Sequence, residues 1–215
     1  MTIGFIAGGD PALDANLAVA QPLLEIFGCS AIGNRATRTA LLELLEEYPD
    51  EVSIFSMSHG SLSHIVGADK SHVITQYDFQ TLNDFRVFAW ACLTGARLGY
   101  LLSRHNTVWW GYDCAVTAPD GRPEYAPIFR RIFSEIINIF PPVASIDAGK
   151  NAIIAIKALC EDAAQHLDET DAGNDENAFA LYACTRQIWS RLSLWIPGQP
   201  GPIRHPFAAS AYVDL

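Results

Sequence analysis

The sequence is poor in charged residues, and poorest in basic ones. Charged side chains make up 18% of the 215 residues, and 24 Asp and Glu outnumber 14 Lys and Arg, which leaves a formal net charge of −10. Because such a chain repels phosphate backbones and anionic lipid surfaces, the composition argues against binding to nucleic acid or membranes. The low charge also indicates that a partner or a second subunit covers part of the surface.

The sequence also lacks the features that are typical of membrane proteins and of secreted proteins. No apolar run approaches the ~20 residues that span a bilayer, and the first ten residues lack the basic start of a secretory signal peptide. The five cysteines are an odd, scattered set without a C-x-x-C pair: Cys29, Cys92, Cys114, Cys160 and Cys184. They predict reduced thiols in a cytoplasmic protein, not a disulfide framework or a zinc ribbon.

What the sequence does contain is ample material for a core. Half of the residues are hydrophobic and 11% are aromatic, which excludes disorder, collagen and coiled coil as descriptions of the whole chain. A chain of this size buries about 70% of its unfolded surface. We therefore expect one domain over residues 1–215.

Short β-rich runs alternate with amphipathic stretches in the first half. Strands are predicted over Thr2–Ala7, Cys29–Ile32, Val52–Met57, Arg86–Ala91 and Thr107–Asp113, and helices over Asn16–Phe27, Thr37–Tyr48 and Ala96–Arg104. Between the third and fourth strands, Leu62–Thr75 favours a β-hairpin and Asp78–Asn83 a short helix. The alternation is typical of an α/β fold with a mainly parallel central sheet flanked by helices, here over residues 1–113.

Residues 114–215 are predicted to be a helical part followed by an extended tail. Apolar periodicity indicates helices over 128–140, over about 153–167 and over 181–195, the last ending at Pro197-Gly198. The proline-rich tail beyond is expected to run over the surface. The segment Glu161–Asn177 holds seven acids and no Lys or Arg, so its later part is predicted to be a mobile surface loop: a solvated linker, or a processing or partner-binding site.

His59 and Cys92 each follow the end of a predicted strand. In open parallel sheets the chemistry gathers beyond the carboxyl ends of the strands, and consecutive strands are usually neighbours. A thiol hydrolase needs a nucleophilic sulfur, a proton donor and N–H groups for the oxyanion. Gly60 lets the backbone approach a substrate closely, and a helix beginning at Thr94-Gly95 would favour the Cys92 thiolate. The pattern predicts a Cys92–His59 catalytic pair; a core cysteine and a plain His-Gly turn are the alternatives.

Two stretches carry a resemblance to a known family. Ile54-Phe55-Ser56-Met57-Ser58-His59-Gly60 and Val87-Phe88-Ala89-Trp90-Ala91-Cys92-Leu93-Thr94-Gly95 resemble the caspase-like cysteine peptidases (clan CD), which place His-Gly after one strand and Ala-Cys after the next. The Ala-Cys-x-Thr-Gly context is most similar to the bacterial CHAT protease branch. The likeness covers roughly Thr2 to Asp113.

The resemblance implies a caspase-like fold and a cysteine endopeptidase that works by a dyad. Cys92 would attack the scissile carbonyl, the Gly60 and Cys92 N–H groups would hold the oxyanion, and His59 would protonate the departing amine before water hydrolyses the thioester. It also implies a protein substrate, no cofactor, and a role in bacterial signalling or defence. Because no sensor module fits in the chain, control is expected from a separate activator protein or from processing.

The resemblance further implies a pocket for the residue before the scissile bond, walled by the ends of three strands. Those ends carry Asp10, Trp90 and Asp113. Trp90 stands where caspases carry Gln and metacaspases Asp, so Asp specificity is not expected. Two carboxylates against an aromatic face suit a guanidinium, which predicts cleavage after Arg or Lys. In the alternative, Asp10 caps the following helix, Asp113 ends a strand in solvent, and Trp90 shapes an apolar pocket.

Two rival sites are not expected, and two rival functions stay open. His59, His64 and His72 fit no zinc signature, so no metal is expected, and the Gly8-Gly9 turn lacks the remaining residues of a nucleotide-binding loop. A catalytically silent caspase-like module for protein interaction and a flavodoxin-like binding domain are the alternatives from other functional classes.

Overall fold

The computed structural model describes residues 2–49, 53–117, 126–168 and 178–208. Its strands are β1 (Ile3–Ala7), β2 (Cys29–Gly33), β3 (Ser53–Met57), β4 (His64–Val66), β5 (His72–Thr75), β6 (Arg86–Trp90), β7 (Val108–Tyr112) and β8 (Leu192–Trp195). Its α-helices are α1 (Pro11–Ala20), α2 (Arg38–Glu47), α3 (Leu98–Ser103), α4 (Ala126–Ile139), α5 (Ile146–Asp168) and α6 (Ala178–Ser190).

A six-stranded sheet in the order β2-β1-β3-β6-β7-β8 forms the centre of the molecule. The first five strands are parallel to their neighbours, and β8 pairs antiparallel to β7 at one edge. The predicted α/β fold with a mainly parallel sheet is confirmed. The predicted hairpin is also present, because β4 and β5 pair antiparallel in a small separate sheet.

Each face of the sheet is covered by its own layer, because alternate strand residues point to opposite faces. Phe55, Phe88 and Trp110 pack with apolar residues of α1, α4, α5 and α6 in one cluster. Ile54, Val87 and Trp109 pack with residues of α2, the β4–β5 hairpin and α3 in the other. Strands buried on both faces explain why the sequence shows continuous apolar runs instead of alternation.

The sequence-based prediction differs from the structure at four elements. One is α5, which begins at Ile146 and not at about residue 153. The first helix begins at Pro11 instead of Asn16, because Asp10 caps it, and it gives way at Gln21–Leu23 to a 3-10 turn that contains Pro22. Residues 78–83 form turns and no helix.

The predicted third helix of the second half ends at Ser190, and Leu192–Trp195 is the strand β8. Leu192 and Leu194 point to one core and Trp195 to the other, so the period is two. Apolar residues at 188, 192 and 195 match both a helix and a strand, which is why their spacing misled the prediction.

The chain beyond β8 returns along the sheet edge. Ile203 exchanges backbone hydrogen bonds with Leu194, and His205 is buried, so this part of the tail is attached to the fold. The segment predicted as a mobile loop, between Asp168 and Asn177, lies outside the described residues apart from its first residue. None of the described helices combines the length and the apolar character that crossing a bilayer requires.

Candidate active site

Four predicted site residues lie beyond the carboxyl ends of adjacent strands. Asp10 follows β1, His59 follows β3, Cys92 follows β6 and Asp113 follows β7. These four strands are neighbours and parallel, so their carboxyl ends lie along one edge of the sheet. His59 therefore stands between Asp10 on one side and Cys92 on the other.

Asp10 connects the histidine to the first helix. One carboxylate oxygen, Oδ2, lies 2.6 Å from Nε2 of His59. The other, Oδ1, accepts hydrogen bonds of 3.1 Å from the N–H groups of Ala12 and Leu13 and so caps α1. Both carboxylate oxygens are thus engaged, and the His59 ring is held toward β1.

The contacts of Asp10 favour its ionised form. Burial raises the pKa of the Asp10 carboxyl, but the hydrogen bond with His59, the N–H groups of Leu13 and Ala12 and the charge of His59 outweigh burial and lower that pKa overall. An ionised Asp10 stabilises a positive charge on the imidazole, which a histidine carries whenever it takes up a proton in a reaction.

Gly60 brings the loop after β3 into direct contact with the loop after β6. A Cβ placed on Gly60 would lie 2.7 Å from the Cys92 carbonyl oxygen, 2.7 Å from Thr94 Cγ2 and 2.8 Å from Ala91 Cβ. Real Cβ atoms do not approach other atoms so closely, so only glycine fits without a shift. The residue after the predicted histidine thus touches the predicted nucleophile's own backbone.

The β4–β5 hairpin fixes the backbone on either side of Gly60. The Val66 N–H donates to the His59 carbonyl and the Ser61 N–H donates to the His64 carbonyl, both at 2.9 Å. In this antiparallel pattern the residue between the two bonds, Gly60, turns its own N–H and C=O away from the hairpin. The Gly60 N–H is therefore left available on the side away from β4.

Cys92 lies in a tight turn at the end of β6. Its Sγ accepts a hydrogen bond of 3.4 Å from the Val116 N–H and lies 3.7 Å from the Val116 carbonyl oxygen. The next residue, Leu93, has a φ of 62°, and its N–H donates to the Cys114 carbonyl. The Thr94 hydroxyl donates to the Ala91 carbonyl and closes the turn. The thiol is thus partly exposed and contacts the chain that follows β7.

The two N–H groups predicted to hold an oxyanion are both unpaired in the described part of the chain. Neither the Gly60 N–H nor the Cys92 N–H donates a hydrogen bond to any described residue, although the N–H groups of Ser61 and Leu93, the residues that follow them, do. Two unpaired donors on loops in mutual contact are what an oxyanion needs.

The helix after Cys92 differs from the prediction. Residues 92–97 form turns, and α3 begins at Leu98 and spans only six residues. The expected stabilisation of a Cys92 thiolate by a helix N-terminus at Thr94-Gly95 is therefore absent. In its place the Val116 N–H donates to the sulfur.

Two of the three residues predicted to line the specificity pocket have other contacts in the structure. Trp90 is 1% exposed and packs edge-on against Tyr112 and Phe133 in the core, so its indole does not line an open pocket. Asp113 forms an ion pair of 2.7 Å with Arg204 of the C-terminal segment, so it does not end its strand free in solvent. The third residue, Asp10, caps a helix, as the alternative had it, and also binds His59.

The other two histidines of the metal hypothesis lie together on the hairpin. The rings of His64 and His72 stack with centroids 3.6 Å apart, and Nδ1 of His64 lies 3.1 Å from the hydroxyls of Ser61 and Ser63. Within the residues that the structure describes, no group of three or more His, Cys, Asp or Glu side chains is arranged to hold a metal ion.

Sequence reasoning missed three contacts of the site. It assigned Asp10 to the specificity pocket and did not predict its contact with His59. The signal was there: an Asp-Pro pair shortly after a buried strand marks the start of a helix, and its carboxylate then lies near the end of the strand. It also missed Val116 and Arg204. Neither has a sequence signal, because each reaches the site from a distant part of the chain.

No protein-family model and no curated protein matches this chain. The case for a function therefore rests on the geometry of these residues.

Proposed function

We propose that the protein is a cysteine endopeptidase in which Cys92 is the nucleophile, His59 the general acid and base, and Asp10 the residue that orients His59. One observation carries the proposal. Asp10, His59 and Cys92 follow the carboxyl ends of three adjacent parallel strands. Asp10 is hydrogen-bonded to His59, and Gly60 contacts the Cys92 backbone. A core cysteine and an unrelated turn would have no reason to share this arrangement.

The proposed reaction has two halves. His59 takes the proton of the Cys92 thiol, and the sulfur attacks the carbonyl carbon of the peptide bond. The carbonyl oxygen takes negative charge, and the N–H groups of Gly60 and Cys92 donate to it. Protonated His59 then gives its proton to the departing amine as the C–N bond breaks and a thioester remains. Neutral His59 next accepts a proton from water, whose oxygen attacks the thioester. The C–S bond breaks, the acid is released, and the proton on His59 returns to the Cys92 sulfur.

Asp10 orients the His59 ring. Its carboxylate faces Nε2 and stabilises the imidazolium that forms when water is deprotonated. The ring is then turned with Nδ1 as the nitrogen that exchanges protons with the substrate. A carboxylate in this position goes beyond the two-residue dyad that the family resemblance implies.

The wider setting is proposed on the resemblance alone. It consists of protein substrates, a bacterial signalling or defence pathway in the cytoplasm, and activation by a partner protein or by processing. Cleavage after Arg or Lys stays a prediction. Arg204 neutralises Asp113, so Asp10 is the carboxylate of the predicted pocket that has no guanidinium partner among the described residues. Trp90 is buried and offers no aromatic face to a substrate.

A second candidate, a catalytically silent caspase-like interaction module, is favoured by one contact. In the described residues the Cys92 sulfur hydrogen-bonds to Val116, and no hydrogen bond joins it to His59. A silent module would keep this arrangement permanently. An enzyme would exchange the Val116 contact for His59 when substrate or an activator binds, since catalytic hydrogen bonds often form only in the complex.

The two candidates are separated by covalent labelling. A peptidyl acyloxymethylketone, with Arg or Leu at its reactive end, alkylates a catalytic thiol only when the histidine assists departure of the carboxylate. We expect intact-mass spectrometry to show one adduct on Cys92 in the wild-type protein and none in His59→Ala.

The control variant is Cys114→Ala, which removes a neighbouring thiol and is expected to leave the adduct in place. Labelling of Cys92 that is equally fast in His59→Ala would reject the enzyme, because the thiol would then be reacting without assistance.

A further inference from the structure

A groove on the surface away from the strand ends has a composition unlike the rest of the protein. It is an open depression of about 600 Å³ between the turn after β5 and one side of α3. Its walls include Tyr77, Phe79, Arg97, Leu101, Arg104 and His105. We call these six residues the α3 groove.

The arginines and the histidine of the α3 groove have no acidic partner among the described residues. Arg97, Arg104 and His105 are exposed, and no described carboxylate forms an ion pair with any of them. The nearest acid in sequence on the facing turn, Asp78, is buried and occupied by Arg38. In a protein of net charge −10, two arginines and one histidine thus line one hollow, and no acidic residue is among its lining residues.

These residues lie on α3 and at its two ends. Leu101 lies within the helix, Arg97 directly precedes it, and Arg104 and His105 follow it. The helix is fixed in the core by Leu98 and Leu102. The basic residues of the groove therefore flank a helix that is fixed in the core.

Aromatic rings complete the walls. The Phe79 ring stacks on His105 with centroids 4.3 Å apart. Tyr77 is 77% exposed, which is unusual for so large a ring on a monomer's surface. Exposed tyrosine beside arginine is the composition found at the energetic centres of protein interfaces.

A second hollow lies next to the groove at Arg104. This second depression, of about 460 Å³, is bounded by Tyr100, Arg104 and the Gly198–Pro200 turn. The Arg104 guanidinium lies over the Tyr100 ring, and its Nη1 donates to the Tyr100 hydroxyl at 3.1 Å. Arg104 thus lies between two neighbouring depressions and lines both, an arrangement that suits an extended ligand better than a compact one.

We propose that the α3 groove binds an acidic, extended segment of a partner protein. Guanidinium groups bind carboxylates bidentately, Leu101 and the rings offer apolar contact between the charges, and the arginines carry the charge opposite to that of such a segment. Nucleic acid fits poorly, because the surrounding charge of −10 repels a long phosphate backbone. The proposal concerns binding alone and does not depend on peptidase activity.

The test uses the full chain and a defined probe. The probe is a fluorescein-labelled peptide of ten residues with five Glu, two Tyr and three Gly, and the matched probe has every Glu replaced by Gln. Binding is measured by fluorescence anisotropy at ~50 mM and ~500 mM NaCl. We expect saturable binding of the Glu peptide at micromolar to submillimolar concentration, at least fivefold weaker binding of the Gln peptide, and loss of affinity at high salt.

The variants assign the binding to the groove. Arg97→Gln/Arg104→Gln should weaken binding of the Glu peptide at least tenfold, because each exposed guanidinium it removes is a primary contact. Arg35→Gln/Lys150→Gln removes the same charge from exposed positions elsewhere and should change affinity less than twofold. Unchanged melting temperatures would exclude misfolding as the cause.

Three outcomes would overturn the proposal. These are no binding by the wild-type protein up to millimolar peptide, equal weakening by both double variants, and tighter binding of the Gln peptide than of the Glu peptide. Displacement of the probe by ~1 mM inorganic phosphate or ATP, with the affinity for phosphate lost in Arg97→Gln/Arg104→Gln, would make the groove a phosphate site and also reject the peptide.

Discussion

The Asp10 carboxylate holds the His59 ring with one oxygen and the start of α1 with the other. The Oδ2–Nε2 distance is 2.6 Å, and Oδ1 accepts from the first two N–H groups after Pro11. One side chain thus makes both a structural and a site contact. Substitutions that remove only one of these contacts separate the two roles.

Asp10→Asn is expected to lower kcat/KM about tenfold and to lower the melting temperature only slightly. Asparagine keeps the carbonyl oxygen that caps α1 and is as good a cap as aspartate, but it loses the charge that faces His59. A hydrogen bond to a charged group contributes about 1.5–3 kcal/mol, and solvent screening favours the low end because both side chains are more than a third exposed. Steady-state kinetics with any cleaved peptide and thermal melts measure the two effects.

Asp10→Ala is the matched control, since it loses the cap as well. It should show the same fall in activity and an additional loss of about 1 kcal/mol of stability. If Asp10→Asn retained full activity while Asp10→Ala lost it, the carboxylate would act only through the helix.

The pH dependence of stability should reveal the same contact. The pKa of Asp10 is lowered from its usual 3.8 in the folded protein, so its contribution to stability is fully present above the unfolded value and is lost as pH falls through the folded value. The difference in melting temperature between wild type and Asp10→Asn should be constant from about pH 6 to pH 5 and shrink below about pH 4. A difference that instead grows on acidification would contradict the ionised pairing.

Gly60→Ala is predicted to damage both fold and site. The new methyl group would lie 2.7 Å from the Cys92 carbonyl oxygen, and backbone on a buried turn has little room to move. Overpacking of this kind costs about 1–3 kcal/mol, and it would separate the His59 loop from Cys92. Gly201→Ala is the control, because no atom lies within 4 Å of the position that its methyl group would take. Equal melting temperatures for both variants would refute the close approach.

The sheet was predictable from the sequence because its signals are local. Four of the parallel strands, β1, β3, β6 and β7, are buried on both faces and have apolar sequences, and turns directly follow β3 and β6. The same strands also predict which face a residue occupies. Phe88 and Trp90 are two residues apart on β6, so their side chains lie on the same face of the sheet, and both belong to the core cluster that contains Phe55. This alternation would have placed Trp90 under α4 and not in an open pocket.

The distant contacts of the site were not predictable in the same way. Arg204 lies 91 positions beyond Asp113, and their meeting depends on β8 pairing with β7 and on Ile203 pairing with Leu194. With β8 taken as the end of a helix, nothing in the sequence brings the tail to the site. The contact between Val116 and Cys92 was not predictable for a related reason, since it depends on the path of a loop.

The cysteines should differ in reactivity with iodoacetamide. Burial, with the nearby Glu161 charge, raises the pKa of the Cys160 thiol far above its ordinary value, and burial followed by the Asp113 charge raises the pKa of Cys114. Cys92 is partly exposed and accepts a hydrogen bond from Val116. Peptide mapping after brief alkylation near pH ~7.5 should show Cys92 modified before Cys114 and Cys160 unmodified until the protein unfolds. Early modification of Cys160 would contradict its burial.

The Asp113–Arg204 ion pair is expected to stabilise the fold. The Asp113 side chain is 7% exposed and Arg204 35%, and the Arg204 Nε also donates to the Ser193 hydroxyl at 3.0 Å. Arg204→Gln leaves a buried carboxylate without its counter-ion, which costs about 3 kcal/mol or slightly less given the partial exposure of the arginine. Urea unfolding measures this loss.

Asp113→Asn/Arg204→Gln should recover most of that stability, because the double variant removes both charges together. A double variant as unstable as Arg204→Gln would mean that the arginine acts through Ser193 and not through the ion pair.

The same pair decides whether Asp113 contributes to substrate choice. With Arg204 in place, a substrate guanidinium would have to displace a cation already held by the carboxylate, so Asp113→Asn alone should change the ratio of cleavage after Arg to cleavage after Leu less than twofold. In Arg204→Gln the carboxylate is released, and the ratio should shift toward Arg about fivefold or more if the pocket reaches Asp113, since a charge-assisted contact contributes at least ~1.5 kcal/mol. Fluorogenic peptides that differ only at that residue measure both ratios. A strong loss of Arg preference in Asp113→Asn would show that substrate replaces Arg204, and the sequence-based assignment of Asp113 to the specificity pocket would then stand.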